Sequence, residues 1–129
     1  MDLANSKPFI TVILPVFNRA GVLGKAVQSV LDQTFQKWEL IIINDNSTDS
    51  TIEVISIFKD PRIKLIQNAN NYGPAYSRNR GIELASGDLI SFLDSDDRFF
   101  PQFLQITYEF FQSKNFKIGF CWTGLEVKY

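Results

Sequence analysis

A chain of 129 residues, 45% apolar and 21% charged, is long enough to bury one core without disulfides or metals and is ordinary for a globular domain. Its 13 basic and 14 acidic residues leave a formal charge of −1, and the basic ones are scattered, so neither a nucleic-acid-binding stripe nor a patch for an anionic membrane is formed. Histidine is absent, which excludes Ser/His/Asp and Cys/His catalytic groups and disfavours zinc.

Short apolar runs alternate with longer periodic ones. Residues 9–14 are β-branched and almost wholly apolar, as in a parallel strand covered on both faces, and Pro15 is expected to stop them. In 21–33, Val22, Leu23, Ala26, Val27, Val30 and Leu31 recur at helical spacing, giving one buried stripe. Residues 38–43 are a second strand, and 44–50 a polar loop. A helix to about Lys59 follows, ended by Asp60-Pro61. Residues 63–67 form a third strand and 68–73 a loop rich in asparagine. Pro74 opens a helix that continues to Ala85, with Gly87 as its stop. Residues 88–93 are the fourth strand, which runs into Asp94-Ser95-Asp96-Asp97. Pro101 opens a further helix to about Gln112, and 117–123 suggest a fifth strand. The series predicts an α/β fold, an open, mostly parallel sheet with helices on both faces, as one unit over residues 1–129.

Ligands bind such sheets at the carboxyl ends of the strands. Three polar segments fall there: Pro15 to Arg19, Asn44 to Asp49, and Asp94 to Asp97. Three carboxylates within four residues repel one another by about 1 kcal/mol per close pair at a partly wet site. A divalent cation reverses that sign, and oxygen ligands are what Mg²⁺ or Mn²⁺ prefer. If the segment is extended, Asp94 and Asp96 face the ligand and Asp97 turns away, toward a loop-fixing task. The bland alternative is an acidic helix cap or a solvated turn. Ser47, Thr48 and Asp49 precede a helix and suit capping. Asp45 sits one step too early for that, where its carboxylate can accept from a base N–H or a ribose hydroxyl. Asn46 tolerates the left-handed conformation a tight turn needs. Of Arg19, Arg78 and Arg80, each able to touch phosphate, Arg78 ranks first because its helix feeds the acidic strand. No G-x-G-x-x-G or Walker-type sequence is present, so those phosphate cradles are excluded.

With these segments in place, the chain resembles glycosyltransferase family 2, of GT-A fold, in which a Rossmann-like half binds nucleotide. The resemblance rests on 12–19 (Val-Ile-Leu-Pro-Val-Phe-Asn-Arg), 29–34, 39–51, 70–75, 77–82 and 87–97, with Pro101. It covers essentially the whole chain. It implies that Pro15, Val16 and Asn18 line the base pocket and that Asp45 bonds the base or ribose. Arg78 and Ser95 would join the nucleotide contacts, and Asp94-Ser95-Asp96 matches the D-x-D element whose acids hold Mn²⁺ or Mg²⁺ on the diphosphate. The implied substrate is a nucleoside-diphosphate sugar, a UDP-sugar first, transferred with inversion to a glycan or lipid-linked acceptor hydroxyl. Asn44 stands where many relatives carry a second acid. The catalytic base and acceptor-binding half are expected beyond Tyr129, so residues 1–129 should bind donor and metal but transfer little.

The apolar helix bearing Phe99, Phe100, Phe103, Leu104, Tyr108, Phe110 and Phe111 presents more than one stripe, which predicts a face covered by the acceptor-binding half or by a second copy in a homodimer. Cys121, between Phe120 and Trp122, reads as a small buried hydrophobe. Neither a signal-peptide segment nor a bilayer-length apolar stretch occurs. A cytoplasmic location is therefore expected, compatible with the inner face of a membrane for a full-length protein. Alternative functions are a metal-dependent nucleotidyltransferase, which would show a Gly/Lys-rich loop after the first strand, and a catalytically silent nucleotide-binding module. A receiver module would need acids after the first strand and a lysine after a late one, and neither is evident here.

Overall fold

The computed structural model of the chain describes residues 7–121. Strands and helices alternate as β1 (Ile10–Val16), α1 (Ala20–Leu31), β2 (Trp38–Asn44), α2 (Thr51–Ser56), β3 (Ile63–Gln67), α3 (Pro74–Leu84), β4 (Leu89–Phe92) and α4 (Phe103–Ser113). Every pairing is parallel, in the order β3-β2-β1-β4. The chain winds outward from β1 to β3. Then α3 carries it back to set β4 on the other side of β1. The winding reverses there, and that reversal opens the crevice in which such sheets take ligands.

The central strands β1 and β2 are buried along their whole length and pair from Ile10↔Trp38 to Val16↔Asn44. Burial on both faces is why their sequences are apolar runs instead of alternations. On one face Val12, Leu14, Leu40 and Ile42 pack with Leu23, Ala26 and Val30 of α1, Ile55 of α2 and Leu104 of α4. The other face, which carries Ile13, Ile41 and Ile43, lies under α3. There a Cβ added at Gly81 would fall 2.5 Å from Cγ2 of Ile13, so only glycine lets helix and strand approach this closely. Helices on both faces are as expected.

Several boundaries differ from expectation. Pro15 continues β1. Its nitrogen points toward β4, where the ladder has already closed with Ile13↔Phe92 and a 3.0 Å bond from Leu93 N–H to the Ile13 carbonyl. Proline therefore removes no ladder bond. The second helix stops at Ser56, short of Lys59, as Ile57 and Phe58 tighten into bonds with the carbonyls of Val54 and Ile55. Gly87 is not a helix stop, since α3 already ends at an extended Ala85. Gly87 is needed because the chain crosses β1 so closely that a Cβ would lie 2.6 Å from the Thr11 nitrogen. Pro101 precedes α4 in a turn, its carbonyl accepting from Thr34 N–H at 2.9 Å. The expected fifth strand is not formed in its described part, 117–121; the rest of it lies outside the described residues. After α4, Asn115 and Phe116 turn left-handed (φ 51° and 55°), and Phe116 N–H closes on the Phe111 carbonyl.

Most of the aromatic surplus on α4 goes into the core. Leu104 and Phe111 are buried, Phe99 stacks on Phe103 at 4.2 Å, and Tyr108 meets Phe9 edge-on at 4.9 Å. Phe100 and Phe110 of the expected set stay exposed. Cys121 is half-buried. Among the described residues no helix is long and apolar enough to cross a membrane.

Candidate functional site

A cavity of about 290 Å³ opens at the carboxyl ends of β1, β2 and β4. Pro15, Val16, Phe17 and Arg19 line it from β1 and the following loop, and Asp45 from the tip of β2. The loop before α3 contributes Asn71 and Gly73, the start of α3 Pro74, Ser77 and Arg78, and the segment after β4 Asp94, Ser95 and Asp96.

Asp45 is 4% exposed, and the chain answers its charge with donors. Oδ1 accepts from Asn68 Nδ2 at 2.7 Å and Tyr72 N–H at 2.9 Å, and Oδ2 from Gly73 N–H at 2.8 Å. Burial pushes its pKa up, but these bonds outweigh it and hold the carboxyl below the usual range. The acid thus pins the asparagine-rich loop and the entry to α3, where Gly73 (φ 92°) turns the chain and Pro74 takes the first helical position. A carboxylate offers about four acceptor sites, so Oδ2, bonded once, can still take a ligand N–H or O–H. Asn68 is the hub that sequence reading passed over. Buried itself, it also donates to Ser77 Oγ and accepts from Arg80 Nη1.

Arg80 is held there and by the Gln67 carbonyl, on the β3 side of α3, and is not among the cavity-lining residues. Nor is Asn18. Left-handed at φ 50°, Asn18 ties two loops together, its Oδ1 accepting from Thr48 N–H at 2.8 Å and its own N–H donating to Ser47 Oγ. Asn46 is left-handed as expected (φ 63°). Asn44 orients Ser47 through its Oδ1 and binds Gln67 through its amide. Asp49 serves two helices at once, accepting from Thr51 at the head of α2 and from Ala20 N–H at the head of α1. Thr51 is the main reason its carboxyl titrates below the ordinary range.

The acidic segment is a turn and not an extended strand: Asp97 N–H bonds the Asp94 carbonyl at 3.0 Å. Alternation therefore does not decide which acids face the cavity, yet Asp94, Ser95 and Asp96 all line it and Asp97 does not. Arg78 Nη2 donates to Asp94 Oδ1 at 2.9 Å. Among the described residues the Asp96 carboxylate has no hydrogen-bonding or ionic partner. The charge crowding is visible on Asp97, whose carboxyl is raised by burial and then by Asp96 and Asp94. Among the described residues no three His, Cys, Asp or Glu side chains converge into a self-sufficient metal cage. Two carboxylates at a cavity rim nevertheless fit Mg²⁺ or Mn²⁺, which complete their shells with water and ligand oxygens.

Residues 11–123 match the pattern of Glycosyl transferase family 2. The chain belongs to that family. It is 50% identical over 92 residues to an uncharacterized glycosyltransferase of Haemophilus influenzae, covering 70% of this chain and 37% of the relative. It is 36% identical to the putative teichuronic acid biosynthesis glycosyltransferase TuaG of Bacillus subtilis, covering 97% of this chain and 50% of TuaG. Identity is 35% to the UDP-Glc:alpha-D-GlcNAc-diphosphoundecaprenol beta-1,3-glucosyltransferase WfgD of Escherichia coli, over 92% of this chain and 46% of WfgD. The chain thus spans half or less of each of these relatives. Among solved structures, residues 1–349 of S. aureus TarS in complex with UDP superpose with a TM-score of 0.79 at 27% identity, covering 83% of this chain and 33% of that one. The four-stranded parallel sheet is therefore that of a GT-A family 2 member. Phe17 lines the cavity with the Pro15–Arg19 segment expected at this edge, and Asn71, Gly73, Pro74 and Ser77 line it as well, where the sequence marks only a loop and a helix head. The Gly73-Pro74 pair at a helix head was the available signal.

Proposed function

We propose that this chain is the donor-binding portion of a metal-assisted glycosyltransferase and takes a nucleoside-diphosphate sugar, a UDP-sugar first. The observation that carries this is one cavity with two chemically different ends. At β4 stand Asp94 and Asp96 with Arg78; at β2 stands Asp45, with acceptor capacity left over. A nucleoside diphosphate has the matching polarity, with its anionic part at one end and N–H and O–H donors at the other. The exposed side chain of Phe17 lines the same cavity and offers a ring on which a base can stack. WfgD, named for UDP-Glc, and TarS, solved with UDP and with UDP-GlcNAc, support the uridine reading.

Asp94 and Asp96 would hold Mn²⁺ or Mg²⁺, and Ser95 would sit between them. The ion supplies charge neutralisation for the departing nucleoside diphosphate. Asp45 orients the nucleoside, and Arg78 binds diphosphate oxygens. None of the lining carboxylates is left to deprotonate an acceptor hydroxyl, since Asp45 is committed to three protein donors and the nucleoside and the other two serve the cation. The base is assigned outside residues 7–121, with inversion expected there and a glycan or lipid-linked acceptor. This portion alone then binds donor with little transfer.

Calorimetry with UDP, UDP-sugars and GDP-sugars, with and without Mn²⁺, tests the reading. Metal-dependent uptake of a diphosphonucleoside is expected, lost in Asp94→Asn and Asp96→Asn. Uptake that ignores both metal and these substitutions refutes it, and a triphosphate preference favours nucleotidyl transfer.

A further inference from the structure

Three arginines of this chain are held in very different ways. Arg62 grips both oxygens of Asp60 through Nε and Nη2 at 3.0 and 2.7 Å, and its guanidinium lies 3.7 Å over the Trp38 ring. Arg80 is fixed by a backbone carbonyl and Asn68 Oδ1. Arg78 reaches Asp94 with one nitrogen on one oxygen, at 2.9 Å, and both side chains stand well out in solvent (37% and 53%). A single-contact, half-wet pair is cheap to break. Both of its members line the cavity, and both would be wanted by the two halves of one ligand.

We propose that Arg78 occupies Asp94 as a stand-in for the cation and changes partner, from carboxylate to diphosphate, when metal and nucleotide bind together. This rests on the donor-binding reading above and adds to it a source of coupling. While the pair is closed, a lone cation meets a neutralised Asp94 and a nearby guanidinium. A lone diphosphate meets an arginine already engaged, with Asp94 and Asp96 beside it. Either ion alone binds against the existing pair. The two together exchange it for two stronger contacts, because the metal takes Asp94 and the phosphate takes Arg78. By linkage, each ligand must then raise the affinity for the other by the same factor.

The test uses two substitutions that break the pair from opposite sides. Free Mn²⁺ is followed by its EPR signal and UDP by calorimetry, and circular dichroism checks that each exposed-site variant folds. Arg78→Gln is expected to bind Mn²⁺ alone about two- to fivefold more tightly, the range an exposed ion pair accounts for. The same variant binds UDP about tenfold more weakly, for the lost charge-assisted bond. Asp94→Asn is expected to bind metal-free UDP about two- to fivefold more tightly. The mutual enhancement between Mn²⁺ and UDP shrinks in Arg78→Gln. If Arg78 instead only props Asp94 in a metal-ready pose, Arg78→Gln weakens Mn²⁺ binding, and the exchange is overturned. Unchanged Mn²⁺ affinity in that variant overturns it equally, while leaving wild-type Mn²⁺-dependent UDP uptake, and so the donor reading, intact. Absence of that uptake in the wild type sinks the donor reading itself.

Discussion

The acid that the fold protects most is not in the cavity. Glu39 stands near the amino end of β2 with 2% of its surface exposed, and four donors converge on it. These are Thr11 Oγ1 at 2.7 Å, Lys64 Nζ at 2.8 Å, Ser86 N–H at 2.7 Å and Ser86 Oγ at 2.8 Å. Burial pushes the carboxyl up, but Lys64, Thr11 and Ser86 together bring it down from 4.5 to about 2. Since the folded-state pKa lies below the unfolded one, the ionised group stabilises the fold fully above pH 4.5 and loses that contribution as pH falls toward 2. The difference corresponds to about 3 kcal/mol at neutral pH, of which roughly 1.4 remains at pH 3. Lys64 is half in solvent, which makes the figure an upper one. Glu39→Gln keeps the shape and removes the charge. Urea unfolding followed by tryptophan fluorescence should show the variant losing about 2 to 3 kcal/mol at pH 7, and that gap narrowing by about 2 kcal/mol at pH 3. Asp45, Asp49 and Asp60 also titrate low, but they are common to both proteins and cancel in the difference. Parallel pH profiles for the two proteins would refute the reasoning.

Gly81→Ala should cost about 1 to 3 kcal/mol in the same unfolding assay, because the new methyl meets Ile13. The added substitution Ile13→Ala should reduce the cost, and additive losses would count against close packing as its cause. Asp45→Asn removes the charge that three donors address. Stability should fall by about 2 kcal/mol, and hydrogen exchange at the Tyr72 and Gly73 amides should quicken; unchanged protection there would reject the pinning role. Gln33, 1% exposed, accepts from Leu104 N–H and donates to the Phe100 and Ser29 carbonyls. Gln33→Leu should therefore cost about 2 kcal/mol or more, by orphaning buried groups, whereas an unchanged denaturation midpoint would argue that water replaces them.

Much of this was legible in the residues because the signals were local. Parallel strands buried on both faces write themselves as apolar runs, so β1 to β3 emerged within two residues of their bounds, and the acids at the end of β4 marked the site edge. What was not legible depends on neighbours remote in sequence. Pro15 can stay in a strand because β4 has already ended, a fact about Phe92. Gly87 looks like a helix stop until Thr11, far away in the chain, is placed against it. Alternation would aim Asp94 and Asp96 the same way only in an extended segment, and the Asp94–Asp97 turn removes that condition. Asn18 and Asn68 read as loop polars, but their bonding across loops exists only after the sheet brings those loops to one edge.

The acids of this chain are supplied with donors very unequally. At Glu39, Asp45 and Asp49 the protein supplies donors, and each carboxyl is held low. Among the described residues the tip of β4 is supplied far less: Asp97 is driven up by burial and by its neighbours, and the Asp94 carboxylate has the single contact from Arg78. A fold that equips three acids so fully could have equipped these as well, and like charges left together cost about 1 kcal/mol per close pair. A purely anionic ligand entering here would meet Asp94 and Asp96, and a purely cationic one would meet Arg78. The species that satisfies all three side chains carries both signs within a few ångströms, as a divalent ion on a diphosphate does. On the donor-binding proposal, the charge pattern of the rim therefore favours the ion–nucleotide pair over either component.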